Sequence, residues 1–215
     1  MRAARITLAA ALALASVEAQ AHGSVKGLGT FFSGVVHPLM EPSHLVGLIA
    51  LALLLGPRWA SERPSEYAFV GAIAAGSSWA AFGPRFDSDI FLTAAAALIG
   101  AMVVLARKLP GFVYVVAACA IGLGIGTGSW PDPEPGVSPW AVLGSSALGA
   151  VVWLINGALL VQGLRRPWMR ILVRVAGSWV TASSILVLAL VLSCKLVLPG
   201  AAPKASSDVD VRRLR

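Results

Sequence analysis

Residues 111–129 read GFVYVVAACAIGLGIGTGS, nineteen positions without a charged side chain. As a helix, such a run is long enough for a bilayer's hydrocarbon core, which takes roughly 17–25 residues. Arg107, Lys108 and Pro110 precede it, and Asp132 and Glu134, set among prolines, follow it. Working outward, the same punctuation separates five further apolar runs, at about 30–56, 67–83, 89–106, 138–163 and 168–193. The pattern predicts an all-α fold, a polytopic membrane helix bundle of about six transmembrane helices over residues 22–198. Composition agrees. Of the 215 residues, 57% are hydrophobic and 13% charged, against ~45–50% and ~25% in soluble domains. Mean hydropathy is +0.80. Two cysteines and 22 glycines without a fixed period exclude a disulfide scaffold and a collagen-like chain.

Residues 1–21 read as a secretory signal peptide, the alternative being an uncleaved first anchor. Arg2 and Arg5 form a basic start, Ile6 to Val17 an apolar run too short to span, and Ala19-Gln20-Ala21 a small-x-small cleavage site. Cleavage there starts the mature chain at His22, outside a bacterial inner membrane. The loops at 56–66, 106–111 and 163–170 are then cytoplasmic. With their flanks they carry Arg58, Arg63, Arg107, Lys108, Arg165, Arg166, Arg170 and Arg174. The outer loops carry Arg85, Asp87, Asp89, Asp132 and Glu134. Basic residues on the inner side are what the positive-inside rule requires. They account for most of the net charge of +7 without nucleic acid as a partner; the partner is the lipid bilayer. Residues 199–215, rich in Ala, Pro, Ser and charge, read as a disordered tail. With six spans the tail ends outside, a weaker fit for Lys204, Arg212, Arg213 and Arg215.

Gly122/Gly126 and Gly124/Gly128 are each four apart, the spacing that brings helix backbones close. Such faces suit helix packing within the bundle, and are where a homo-oligomer would form. Asn156, a lone amide at lipid depth, is expected to hydrogen-bond a neighbouring helix. Cys119 falls mid-bilayer and Cys194 near a helix end, too far apart in depth for a disulfide.

Chemistry concentrates in one segment. The three histidines of the chain are His22, His37 and His44. His37, Pro38, Glu41, Pro42 and His44 stand within the first apolar run. A charged group at the bilayer centre costs ~2.5–3.5 kcal/mol on insertion scales, so ionisable groups there are functional candidates. On an unbroken helix His37, Glu41 and His44 share one stripe, with the two histidines about 10 Å apart along the axis. Pro38 and Pro42 bend or break that helix. Imidazole with carboxylate suits a divalent first-row ion such as Ni²⁺, Co²⁺ or Zn²⁺. The alternative is that both histidines are pore-facing polar groups satisfied by water or by Asn156. His22, beside a free amine after cleavage, is a weaker candidate for Cu²⁺, or an accident of the cleavage site.

At these residues the sequence resembles the HupE/UreJ family of bacterial membrane proteins, associated with nickel uptake for hydrogenase and urease. The family's mark is His-Pro followed, after a short Gly-containing stretch, by Asp-His, in the first span after a signal peptide. Gly34, His37, Pro38 and His44 match it. So do the leader ending Ala21-His22-Gly23, the six-span layout, and the entry to the last span at Arg174–Gly177. Two departures stand out. Ser43 replaces the Asp, with Glu41 nearby as another carboxylate. The family's second histidine motif, in its fourth span, has no counterpart in residues 118–128.

The resemblance implies a divalent-metal permease, for Ni²⁺ above Co²⁺, with His37 and His44 at the ion; Glu41 joins them from the stripe read above, Zn²⁺ and Cu²⁺ being the other candidate ions. The alternative is a non-transporting accessory or metal-binding protein, with metalloenzyme maturation proteins as partners. No tightly bound cofactor is expected, the ion being cargo. No G-x-x-x-x-G-K-[ST], G-x-S-x-G or H-E-x-x-H is present, so neither ATP-driven transport nor an enzyme is expected.

Overall fold

A computed structural model describes residues 29–84, 87–106, 109–130, 138–164 and 166–197, and among these the structure is all helical, with no strand. The leader expected at 1–21, His22, and the tail at 199–215 lie outside the described residues. Seven α-helices follow in order: α1 (Gly29–Met40), α2 (Pro42–Leu55), α3 (Arg63–Phe82), α4 (Ser88–Leu105), α5 (Gly111–Gly128), α6 (Pro139–Gly163) and α7 (Pro167–Val197). A single 3₁₀ turn, Gly56–Arg58, extends α2.

Local sequence sets the boundaries. Prolines open α2, α6 and α7, where a missing N–H costs no helical bond and φ is already suitable. Asp87 caps α4 by accepting from the Ile90 N–H at 3.3 Å. Ala106 ends α4 in the left-handed region, at φ 47°.

The chain is a membrane helix bundle. α4, α5, α6 and residues Trp168–Ser193 of α7 are each long and apolar enough to cross a bilayer. α1 and α2 together supply a fifth span if the bent pair crosses as one. The expected sixth run, 67–83, falls in α3, which has 20 residues but is not among the helices apolar enough to cross. Glu66, Ser77, Ser78 and two glycines, Gly71 and Gly76, dilute it. The large apolar side chains Phe82, Leu98, Phe112, Leu160 and Trp179 point outward, the inversion expected of a lipid-facing surface.

α2 is the hub. It touches α1, α4, α5, α6 and α7, while α3 lies mainly on α5, α7 on α4, and α1 on α6. Leu48 and every residue from Ala50 to Leu55 are buried. A helix apolar all round is one that neighbours enclose. Only 17% of the apolar window of α7 is buried, which puts α7 on the rim.

Candidate metal centre

The site begins with a break in the backbone. Pro42 clashes with a helical residue before it, so Glu41 is driven to extended geometry, at φ −85° and ψ 114°. α1 closes with the Glu41 N–H on the His37 carbonyl at 3.1 Å, and α2 starts with the Leu45 N–H on the Glu41 carbonyl at 3.0 Å. The two helices meet at 75°. Pro38 stays within α1 and is fully buried. The single stripe expected of an unbroken helix is therefore absent. The bend brings the His37 and His44 rings to 5.8 Å between centroids, edge to face at 85°. Two imidazoles sharing one ion at about 2.0–2.1 Å per nitrogen have ring centres roughly 5–6 Å apart.

His44 has no exposed surface. Neither of its ring nitrogens makes a hydrogen bond among the described residues. Leaving a buried polar group without a partner costs about 1–3 kcal/mol, so each such group calls for an explanation. Nε2 faces the seam where α5 ends and α4 begins. A Cβ added to Gly128 would stand 2.7 Å from Nε2 and 2.8 Å from Ser88 Oγ. Only glycine leaves room there. His37 is partly exposed, as is Glu41 at the break.

α1 is held in place by close approach to α6. A Cβ on Gly149 would strike the Val35 carbonyl, and one on Gly34 would strike the Ser145 side chain. Trp153 Nε1 donates to the Val35 carbonyl at 3.2 Å. Four residues of one end of the bundle add polarity. Ser43 Oγ donates to Asp89 Oδ1 at 2.8 Å. Ser146 Oγ and Ser129 Oγ lie 3.2 Å apart, with Ser129 donating to the Ile125 carbonyl at 2.7 Å. The N-termini of α2 and α4 bring positive partial charge to this end. Asp87 and Asp89 in the opening of α4 offset it, as does the C-terminal end of α5.

The sequence alone does not bring Ser88 to the seam at His44 or Asp89 to Ser43. Asp87-Ser88-Asp89 was legible only as outer-loop charge, because the partner Ser43 is 46 positions away. Asn156 is not at the site. Its Nδ2 donates to the Val152 carbonyl of its own helix at 2.7 Å, and the residue is exposed. Thr127 likewise bonds carbonyls of its own helix. Cys119 is a free, partly buried thiol. Among the described residues no three His, Cys, Asp or Glu side chains stand close enough to hold one ion. The arrangement brings two imidazole rings together, with Glu41 at the break between the helices and Asp89 bonded to Ser43, the residue before His44.

Below His44 the interior is apolar. Leu51, Leu92, Ile121 and Ile125 are fully buried, and Gly47 packs on Ile121 and Leu92. The two glycine rows of α5 serve different neighbours. Gly122 and Gly126 face the α3 backbone around Phe69, Ile73 and Gly76, whereas Gly124 faces Leu92 and Gly128 faces His44. Two residues apart on a helix means nearly opposite faces, so α5 is wedged between α3 on one side and α2 and α4 on the other.

The chain matches the family described as HupE / UreJ protein over residues 10–188. No curated protein and no solved structure matches it.

Proposed function

Since the chain belongs to the HupE/UreJ family, a family associated with nickel or cobalt uptake or with metalloenzyme maturation, we propose that it carries a divalent transition-metal ion, Ni²⁺ or Co²⁺, across a bacterial inner membrane. The observation that supports this reading is the His37–His44 pair. Its rings stand 5.8 Å apart, and His44 is sealed from solvent with both nitrogens unengaged among the described residues. Imidazole nitrogen is a good donor for Ni²⁺ and Co²⁺. In this proposal the ion arrives from the outer side, where the mature N-terminus and His22 stand, and meets His37 first. His44 and the Glu41 carboxylate at the hinge take it next. Asp89, held through Ser43, supplies negative charge close by in place of the family's Asp. The positive-inside distribution of arginines is the ground for this orientation.

A second reading is a membrane accessory protein that binds the ion without moving it. The apolar packing of Leu51, Leu92, Ile121 and Ile125 beneath His44 favours it, since transport needs that plug to open.

Two measurements test and separate the readings. The first titrates Ni²⁺, Co²⁺, Zn²⁺ and Cu²⁺ into the purified protein in detergent, for wild type and His37→Ala/His44→Ala. The second follows radioactive Ni²⁺ entry into proteoliposomes. Binding that the double variant loses, together with entry above empty liposomes, is expected. Binding without entry selects the accessory role. Equal binding by wild type and double variant would remove the metal site.

A further inference from the structure

At the end of the bundle away from the histidines, the helix ends line a half-open cavity of about 490 Å³. The distance from His44 to Arg58 along α2 and its 3₁₀ turn is about 21 Å at 1.5 Å per residue, so this is a separate place. Arg58, Arg170 and Arg174 line the cavity, with Tyr114 and Gln162. No Asp or Glu is among the lining residues. Among the described residues none of these three guanidiniums has a carboxylate within salt-bridge distance; Arg63, by contrast, pairs with Glu66 at 3.2 Å. Arg58 lies over the Tyr114 ring, 5.5 Å from its centroid, a cation–π contact that holds the guanidinium in place. The remaining wall is apolar, with Leu54, Met102 and Val173 among its residues.

Three positive charges with no carboxylate partner among the described residues, set around an apolar pocket, attract an anion that also has an apolar part. Planar guanidinium forks match phosphate oxygens in two-point contact. Basic pockets between transmembrane helices at the membrane surface hold anionic lipid headgroups. The volume lies within the roughly 300–1,000 Å³ of ligand pockets, enough for a headgroup and the first part of its chains. We infer that this cavity binds the phosphate of an anionic phospholipid from the surrounding leaflet, with Arg58, Arg170 and Arg174 on the phosphate and the lipid chains along the apolar wall. The site stands apart from the metal reading and does not depend on it.

Native mass spectrometry of the full chain, released from nanodiscs of equal phosphatidylglycerol and phosphatidylcholine, tests the inference. The expected result is preferential retention of phosphatidylglycerol. Each neutralised arginine at a membrane surface lowers such attraction about fivefold, so Arg170→Gln/Arg174→Gln should abolish the preference. Arg63→Gln, at the exposed end of α3, should preserve it, and millimolar inorganic phosphate should not displace the lipid. Equal retention of the two lipids by wild type overturns the proposal whatever the variants do. So does a preference that survives the double variant, or one that Arg63→Gln lowers as much, which would be general surface charge. Displacement by inorganic phosphate would make the cavity a free-anion site and overturn the lipid assignment.

Discussion

Gly128 fixes how near the end of α5 comes to His44. A methyl there would meet the ring nitrogen at 2.7 Å and Ser88 Oγ at 2.8 Å, closer than packed atoms allow. Overpacking of this kind costs about 1–3 kcal/mol. In the proposed function that strain falls on a ligand, so Gly128→Ala is expected to weaken Co²⁺ binding by about tenfold, equivalent to ~1.4 kcal/mol. Gly144→Ala is the control, since nothing lies within 4 Å of the added carbon. It should leave binding unchanged and raise helix stability by roughly 0.5–1 kcal/mol. Absorption titration with Co²⁺ and thermal unfolding of both variants check the pair of outcomes. At this scale the sequence was partly legible. Two histidines in an apolar run announce themselves by their desolvation cost. Asp89 does not, because its link to Ser43 depends on how α2 and α4 dock.

The break between α1 and α2 is the element that makes a pair of the two histidines. Pro42 is exposed and occupies the first helical position, so replacing it costs little packing. Pro42→Ala removes the clash that holds Glu41 extended and lets one helix run through. The histidines then separate toward about 10 Å along the axis. Loss of Co²⁺ binding is expected, with an unfolding temperature within a few degrees of wild type; retained binding would show that the bend is not what unites the rings. The two prolines made a bend legible, but not its 75° or its direction, which follow from α1 lying on α6 through Gly34 and Gly149. The glycine spacing in α5 likewise revealed close packing without revealing that α3 and α4 share out its two faces.

For the whole molecule, the charge asymmetry is the ground of the proposed orientation. Ser61 and Ser138 are both exposed, beyond α2 and before α6. In a Cys119→Ala/Cys194→Ala background, an impermeant maleimide should label Ser138→Cys in intact spheroplasts and Ser61→Cys only after lysis. The reverse pattern would invert the proposed orientation, and labelling of both sites on one side would mean that α3 does not cross. Composition alone made the membrane class legible, because lipid rewards apolar surface wherever it faces. The count of six was less secure for a physical reason: α3 trades hydropathy for small residues that let it press against α5. Nor does sequence reveal that α2 is enclosed, as its apolar run resembles one facing lipid. Enclosure also has an order in time. His44 leaves the ribosome 84 positions ahead of Gly128, roughly 4–17 s at bacterial rates of synthesis. Through that interval the imidazole lies open on a half-made protein, and it is shut in only when the later helices arrive.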